Sequence, residues 1–136
     1  MHISDHYSPF EKKTLIVVTN NEKARLFKAE GREVDELEII ESPETAETDR
    51  VTEMYTDLDQ MKLHRLKELY SALSKRLLEL VDHDSYATII ACVPEVNKSH
   101  FATHMHTDVL KHISETVPKN LASMDLPNIV RILVEG

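Results

Sequence analysis

Glycine is nearly missing from this chain: Gly31 and Gly136 are its only two in 136 residues. Phosphate-cradling loops and dinucleotide fingerprints need several glycines so that the backbone can approach an anion closely, so both are excluded. The strained G-x-S-x-G turn that presents a nucleophilic serine is excluded for the same reason. Cysteine is down to Cys92, so no intramolecular disulfide can form. Its place in the apolar run Ile89–Val93 marks it as a small buried hydrophobe in a reducing compartment, and burial makes a thiol a poor nucleophile.

Long apolar runs are missing too. The longest, Leu15–Val18 and Ile89–Val93, fall far short of a membrane span, and the polar start MHISDHYSPFEKK has no apolar core of signal-peptide length. A cytoplasmic protein without membrane contact is expected. Positive charge is outnumbered: 16 Lys and Arg against 24 Asp and Glu leave a net charge of −8. Binding to nucleic acid through its phosphates needs a basic face, so this balance favours a protein partner over direct nucleic-acid binding.

What is present has the length of one domain. Residues 1–12 are expected to form a flexible tail and 13–136 the folded unit. Thr14–Thr19 (TLIVVT) reads as a buried strand, and Asn20-Asn21 after it tolerates the positive φ of a tight hairpin turn. Lys23–Glu30 and Glu33–Glu41, separated by Gly31-Arg32, complete a three-stranded antiparallel meander. Between Glu41 and Asp59 seven acids face one base, Arg50, which predicts an acidic loop over 41–59.

A helix is expected from about Asp59 to Val81, opened by Thr56-x-x-Asp59 as a capping box. It carries the heptad-like series Leu63, Leu66, Leu69 or Tyr70, Leu73, Leu77 and Leu80, with Lys62, Arg65, Lys67, Lys75 and Arg76 outside. Tyr86–Val93 reads as a central strand covered on both faces and ended by Pro94. A second long helix is expected over Asn97–Val117, with Asn97 or Ser99 as N-cap and Pro118 as the stop. Leu121–Met124 then offers a short edge strand, and a last helix follows with Ser123 or Asp125 as cap and Pro127 in its first turn.

The stretch Lys98–His112 (KSHFATHMHTDVLKH) holds four of the eight histidines. At about 100° per residue, Ala102, Met105, Val109, Leu110, Ile113 and Val117 form one apolar stripe. His106 and His112 point elsewhere, whereas His100 and His104 share the opposite side with Asp108. The i, i+4, i+8 spacing of that trio could supply nitrogen and oxygen ligands to zinc, which makes a metal-dependent hydrolase the alternative to a binding domain. Structural metal sites normally combine ligands from separate elements, so a solvated or partner-facing helix surface is the favoured reading of the histidines. A further alternative is a homodimer joining the basic face of the first helix to the acidic loop.

Three stretches together resemble the host-attachment protein family (protein required for attachment to host cells): Thr14–Phe27 with its Ala24-RLF-Phe27, Leu77–Glu95, and the closing VPKNLASMDLPNIVRIL. That family is similar to the central domain of the class-1 peptide release factors of eukaryotes and archaea. The resemblance covers residues 13 to 134. It implies a ribonuclease H-like three-layer α/β fold: a mixed sheet of three N-terminal antiparallel strands, then helix, strand, helix and a terminal strand and helix. A helix over Leu126–Glu135 is part of that expectation, as is a role around the ribosome or a translation factor without a cofactor. Two departures are plain. The Gly-Gly-Gln tripeptide with which release factors reach peptidyl-tRNA has no counterpart among two separated glycines. The first strand ends in Thr19-Asn20-Asn21, where ribonuclease H-like nucleases keep an aspartate to hold metal.

Ligands of open α/β sheets bind outside the carboxyl ends of the strands. Candidate binding residues are therefore Asn20 and Asn21 after the first strand, and Pro94, Glu95, Asn97, Lys98 and Ser99 after the fourth. They converge only if those two strands are neighbours, and the helix N-terminus beside them would favour an anion.

Overall fold

Leu15, Ile16, Val17 and Val18 are all shielded from solvent, two on each side of their strand, which therefore has to lie inside a sheet covered on both faces. In the computed structural model, which describes residues 1–42 and 58–135, that strand is β1 (Phe10–Thr19). β2 (Lys23–Gly31) and β3 (Glu33–Glu41) follow as an antiparallel meander. Gly31 turns the second corner at φ +61°, in the left-handed region. The first corner is closed differently from expectation. Neither Asn20 nor Asn21 has positive φ; instead the Asn20 carboxamide oxygen accepts the N–H groups of Glu22 (2.8 Å) and Lys23 (2.9 Å).

The first helix, α1 (Leu58–Asp84), contains the expected span and extends it at the far end, where Ser85 at φ +58° stops it. The expected capping box involves Thr56 and the Asp59 side chain, and the acidic loop covers 41–59; both lie largely outside the described residues. β4 (Thr88–Cys92) then pairs with β1 in parallel, Thr14 opposite Thr88 and Val18 opposite Cys92.

The segment after β4 departs most from expectation. A single 3-10 turn (Glu95–Asn97) leads into α2 (Lys98–His104), and Met105 and His106 are extended, so the chain restarts as α3 (Thr107–His112). Ile113–Val117 is no helix at all but β5, parallel to β4. Two interactions outweigh the helical periodicity. The open edge of β4 takes up Ile113–Val117, and the buried Ser74 hydroxyl of α1 accepts the His106 N–H at 2.7 Å, holding the break. Leu121–Met124 forms a turn in place of the expected strand, while α4 (Leu126–Glu135) agrees with the expected helix, its first turn capped by Asp125 accepting from Asn128 N–H.

The sheet order is β3-β2-β1-β4-β5. On one face α1, α2 and α3 bury Leu66, Leu69, Tyr70, Leu73, Phe101 and Val109 against Leu15, Val17 and Ile89. On the other, α4 brings Ile129 and Val130 to Ile16, Val18 and Phe27. Each fully buried aliphatic or aromatic side chain contributes roughly 1.5–3 kcal/mol. This is a three-layer α/β arrangement with the three N-terminal antiparallel strands expected. The first residues, expected as a tail, are tied to the sheet: Ile3 is buried, its N–H donates to Arg32 C=O at 2.6 Å, and Val34 N–H donates to Met1 C=O at 2.8 Å. An apolar side chain with a place in the second core, and backbone groups of β3 in need of partners, hold these residues down.

Candidate functional site

At the carboxyl ends of β1 and β4 the chain diverges. From β1 it turns toward β2, and from β4 it turns the other way toward α2 and β5, leaving a crevice between the two exits. Thr19, the last residue of β1, is fully buried, its hydroxyl donating to Lys23 C=O at 2.9 Å. The crevice, about 370 Å³, brings together Asn20, Asn21, Pro94 and Asn97 as anticipated from sequence. Glu95, Lys98 and Ser99 are exposed and do not line it.

Asn97 is the pivot. It is only 5% exposed, and its side-chain N–H donates to the Asn21 carboxamide oxygen at 2.5 Å, linking the exits of the two central strands. That bond replaces the capping role expected of it: Asn97 stands at the N-cap of α2 in helical geometry without a side-chain cap. Because α2 has seven residues and starts from a 3-10 turn, the anion site expected at its N-terminus has little helix behind it.

Behind Asn97 lies the Tyr70 hydroxyl, fully buried beside the side chains of Thr19 and Asn97 yet without a hydrogen bond of its own. Desolvation pushes its pKa from 10.0 up to about 12.

The opposite wall carries Asn120 and Ser123, which no sequence signal links to the crevice, because the strand that delivers them has the apolar spacing of a helix. Their segment is tied to the sheet by Arg25, whose guanidinium donates to Ala122 C=O (3.2 Å) and Met124 C=O (2.6 Å) and pairs with Glu36 at 3.1 Å. Glu22 and Val96 complete the rim, Val96 being 84% exposed. An apolar residue left in solvent between two polar ones was the available signal for Val96. Among the described residues the lining offers carboxamides, one hydroxyl and one carboxylate, groups that form hydrogen bonds and carry no nucleophile poised by a base.

The histidine trio does not assemble. Asp108 lies on α3, beyond the break after His104, so the i, i+4, i+8 face that required one continuous helix is lost. His104 Nδ1 is 2.7 Å from the His100 carbonyl oxygen of its own helix, and Asp108 N–H donates to His106 Nδ1 at 3.0 Å. Among the described residues no three His, Cys, Asp or Glu side chains come together in a way that could hold a metal ion. Cys92 is fully buried in β4, and burial, with Glu115 adding to it, pushes its thiol from 9.0 up to about 12. Of the basic residues expected on the outside of α1, Arg76 pairs with Glu38 of β3 at 2.8 Å.

The class is therefore a three-layer α/β domain with a polar crevice at its strand exits. Among solved structures, archaeal translation termination factor aRF1 shares this fold: 79% of this chain overlays 30% of that one, at a TM-score of 0.56 and 11% identity. The chain thus spans less than a third of that factor. No family model matches the chain, the host-attachment family included, and no curated protein matches it either. No helix among the described residues is long and apolar enough to cross a membrane.

Proposed function

We propose that this chain is a non-enzymatic binding domain that works in the cytoplasm alongside the translation machinery, through a protein partner. The observation that carries this is the overlay of nearly four-fifths of the chain on a translation termination factor. The hydrolytic part of such a factor is not carried over, since no two glycines are adjacent here. A crevice of carboxamides at the sheet's carboxyl edge supports recognition as the task, and a net charge of −8 supports a protein over an RNA phosphate backbone as the contact.

The test is sedimentation of the purified, untagged protein with ribosomes from a growing cell lysate through a sucrose gradient. Co-migration with the ribosomal fraction at near-physiological salt is the expected result. Protein that stays at the top of the gradient, with and without added ribosomes, overturns the translation assignment.

A further inference from the structure

Leu63 is the one member of the leucine series on α1 that fails to reach the core; it is 49% exposed, whereas Leu66, Leu69, Leu73, Leu77 and Leu80 are buried. It lines a second cavity of about 310 Å³ together with Leu66 and Lys62, and among the described residues the other two that line it are Asn21 and Asn97. The hydrogen-bonded pair Asn21 and Asn97 is thus the shared wall between a polar crevice and an apolar pocket. Both volumes fall in the range of roughly 300–1,000 Å³ typical of small-ligand sites.

The hydrogen-bonding pattern fixes what the shared wall offers. The Asn20 carboxamide oxygen is saturated by two backbone N–H groups, and that of Asn21 is engaged by Asn97, so in both residues the NH₂ group is what remains to offer, as a donor. Asn97 keeps its carboxamide oxygen as an acceptor. Paired amide donors and an acceptor match the C=O and N–H groups of a peptide main chain, which itself must find partners when desolvated. A nucleobase would offer similar edges, but it needs a flat partner to stack on, and among the described residues neither cavity is lined by an aromatic ring. A leucine-walled pocket next to the amides instead suits an aliphatic side chain. Among the described residues lining the two cavities, Lys62 is the one cation, at the apolar end, and Glu22 the one carboxylate, at the polar end.

We propose that the crevice and its neighbouring pocket form one site for a short extended peptide of a protein partner. Its main-chain amide is gripped by Asn21 and Asn97, its aliphatic side chain rests on Leu63 and Leu66, and acidic and basic flanks meet Lys62 and Glu22. This rests on the reading of the chain as a protein-binding domain and names the chemistry of what it binds.

A displayed library of random linear hexapeptides, selected on the full chain, tests it, with the winners synthesised in blocked form and their affinity measured by fluorescence anisotropy. Asn21 and Leu63 are exposed, so Asn21→Ala and Leu63→Ser keep the fold, checked by circular dichroism. The expected winners share one aliphatic anchor with an acidic residue beside it, and each substitution weakens them roughly tenfold, the size of a single interface anchor. The proposal is overturned if no peptide is enriched over the doubly substituted chain, or if winners bind both variants undiminished. It is equally overturned if adenosine, titrated in parallel, shifts the Asn21 and Asn97 amide resonances while no peptide does. Failure here leaves ribosome co-sedimentation untouched; peptide binding without co-sedimentation removes the translation assignment and keeps the site.

Discussion

The Arg25 guanidinium donates to the Met124 carbonyl 2.6 Å away, a bond between β2 and the segment that precedes α4, nearly a hundred residues later in the chain. The Arg25 side chain is 13% exposed, and its partners are a carbonyl on each side of Ser123 and the Glu36 carboxylate. The crevice wall bearing Asn120 and Ser123 thus hangs on a residue of the opposite half of the sheet.

Replacing Arg25 with leucine leaves those acceptors without their donor. Hydrogen bonds to charged groups contribute about 1.5–3 kcal/mol each on removal, and these share one guanidinium, so a loss of roughly 3 kcal/mol is expected. Urea denaturation of Arg25→Leu checks it, and a change under about 1 kcal/mol would show that the clamp is dispensable.

Tyr70 carries the opposite expectation. Its hydroxyl is buried without a hydrogen bond, so its desolvation is not repaid. Tyr70→Phe keeps the ring edge-on to Phe101, whose centroid is 5.5 Å away, and deletes the unsatisfied atom. A gain of about 1 kcal/mol is expected, and a loss of that size would show that Thr19 and Asn97 hold the hydroxyl after all.

Cys92 gives a prediction in pH. Its folded thiol is raised from 9.0 to about 12, so the folded state keeps its proton where the unfolded chain releases it. The contribution of Cys92 to stability is therefore complete below pH 9 and is lost as pH rises toward about 12. The fall from pH 9 upward should be shallower in Cys92→Ala, measured by denaturant midpoints across that window. At neutral pH the native thiol should resist iodoacetamide and react only after unfolding.

Gly31 separates backbone from side-chain effects. A methyl group there would meet nothing within 4 Å, so any cost of Gly31→Ala comes from φ +61° alone. A left-handed non-glycine residue costs roughly 1–2 kcal/mol, and asparagine tolerates that region better, so Gly31→Asn should be the milder change. Equal midpoints for alanine and glycine at this position would contradict the assigned turn.

β1 was legible from sequence because TLIVVT has no polar interruption, and only a strand covered on both faces has use for that. The meander followed from Gly31 and from the acids interleaved along β3. The stretch from Lys98 to Val117 was not legible, since Met105, Val109 and Ile113 keep helical spacing straight through the break. What breaks the helix lies elsewhere: the Ser74 hydroxyl, 32 residues earlier, and the vacant edge of β4. No local window of sequence contains either. The crevice divides along the same line. Asn20, Asn21, Pro94 and Asn97 were foreseeable from the general habit of α/β sheets, whereas Asn120 and Ser123 depend on where β5 ends. The histidines were conspicuous in composition and prove to belong to two short helices.

β1 is joined to one neighbour by a turn of three residues and to the other across all of α1, Thr14 meeting Thr88. Its two sides therefore differ in the order in which they can form. The hairpin with β2 closes a short loop, while the pairing with β4 must wait until a 27-residue helix has brought the chain back. Once both sides are in place, the amides from Leu15 to Val18 are enclosed by strands and by both cores. They can exchange with solvent only when the whole molecule opens, which makes this strand the natural clock for global unfolding.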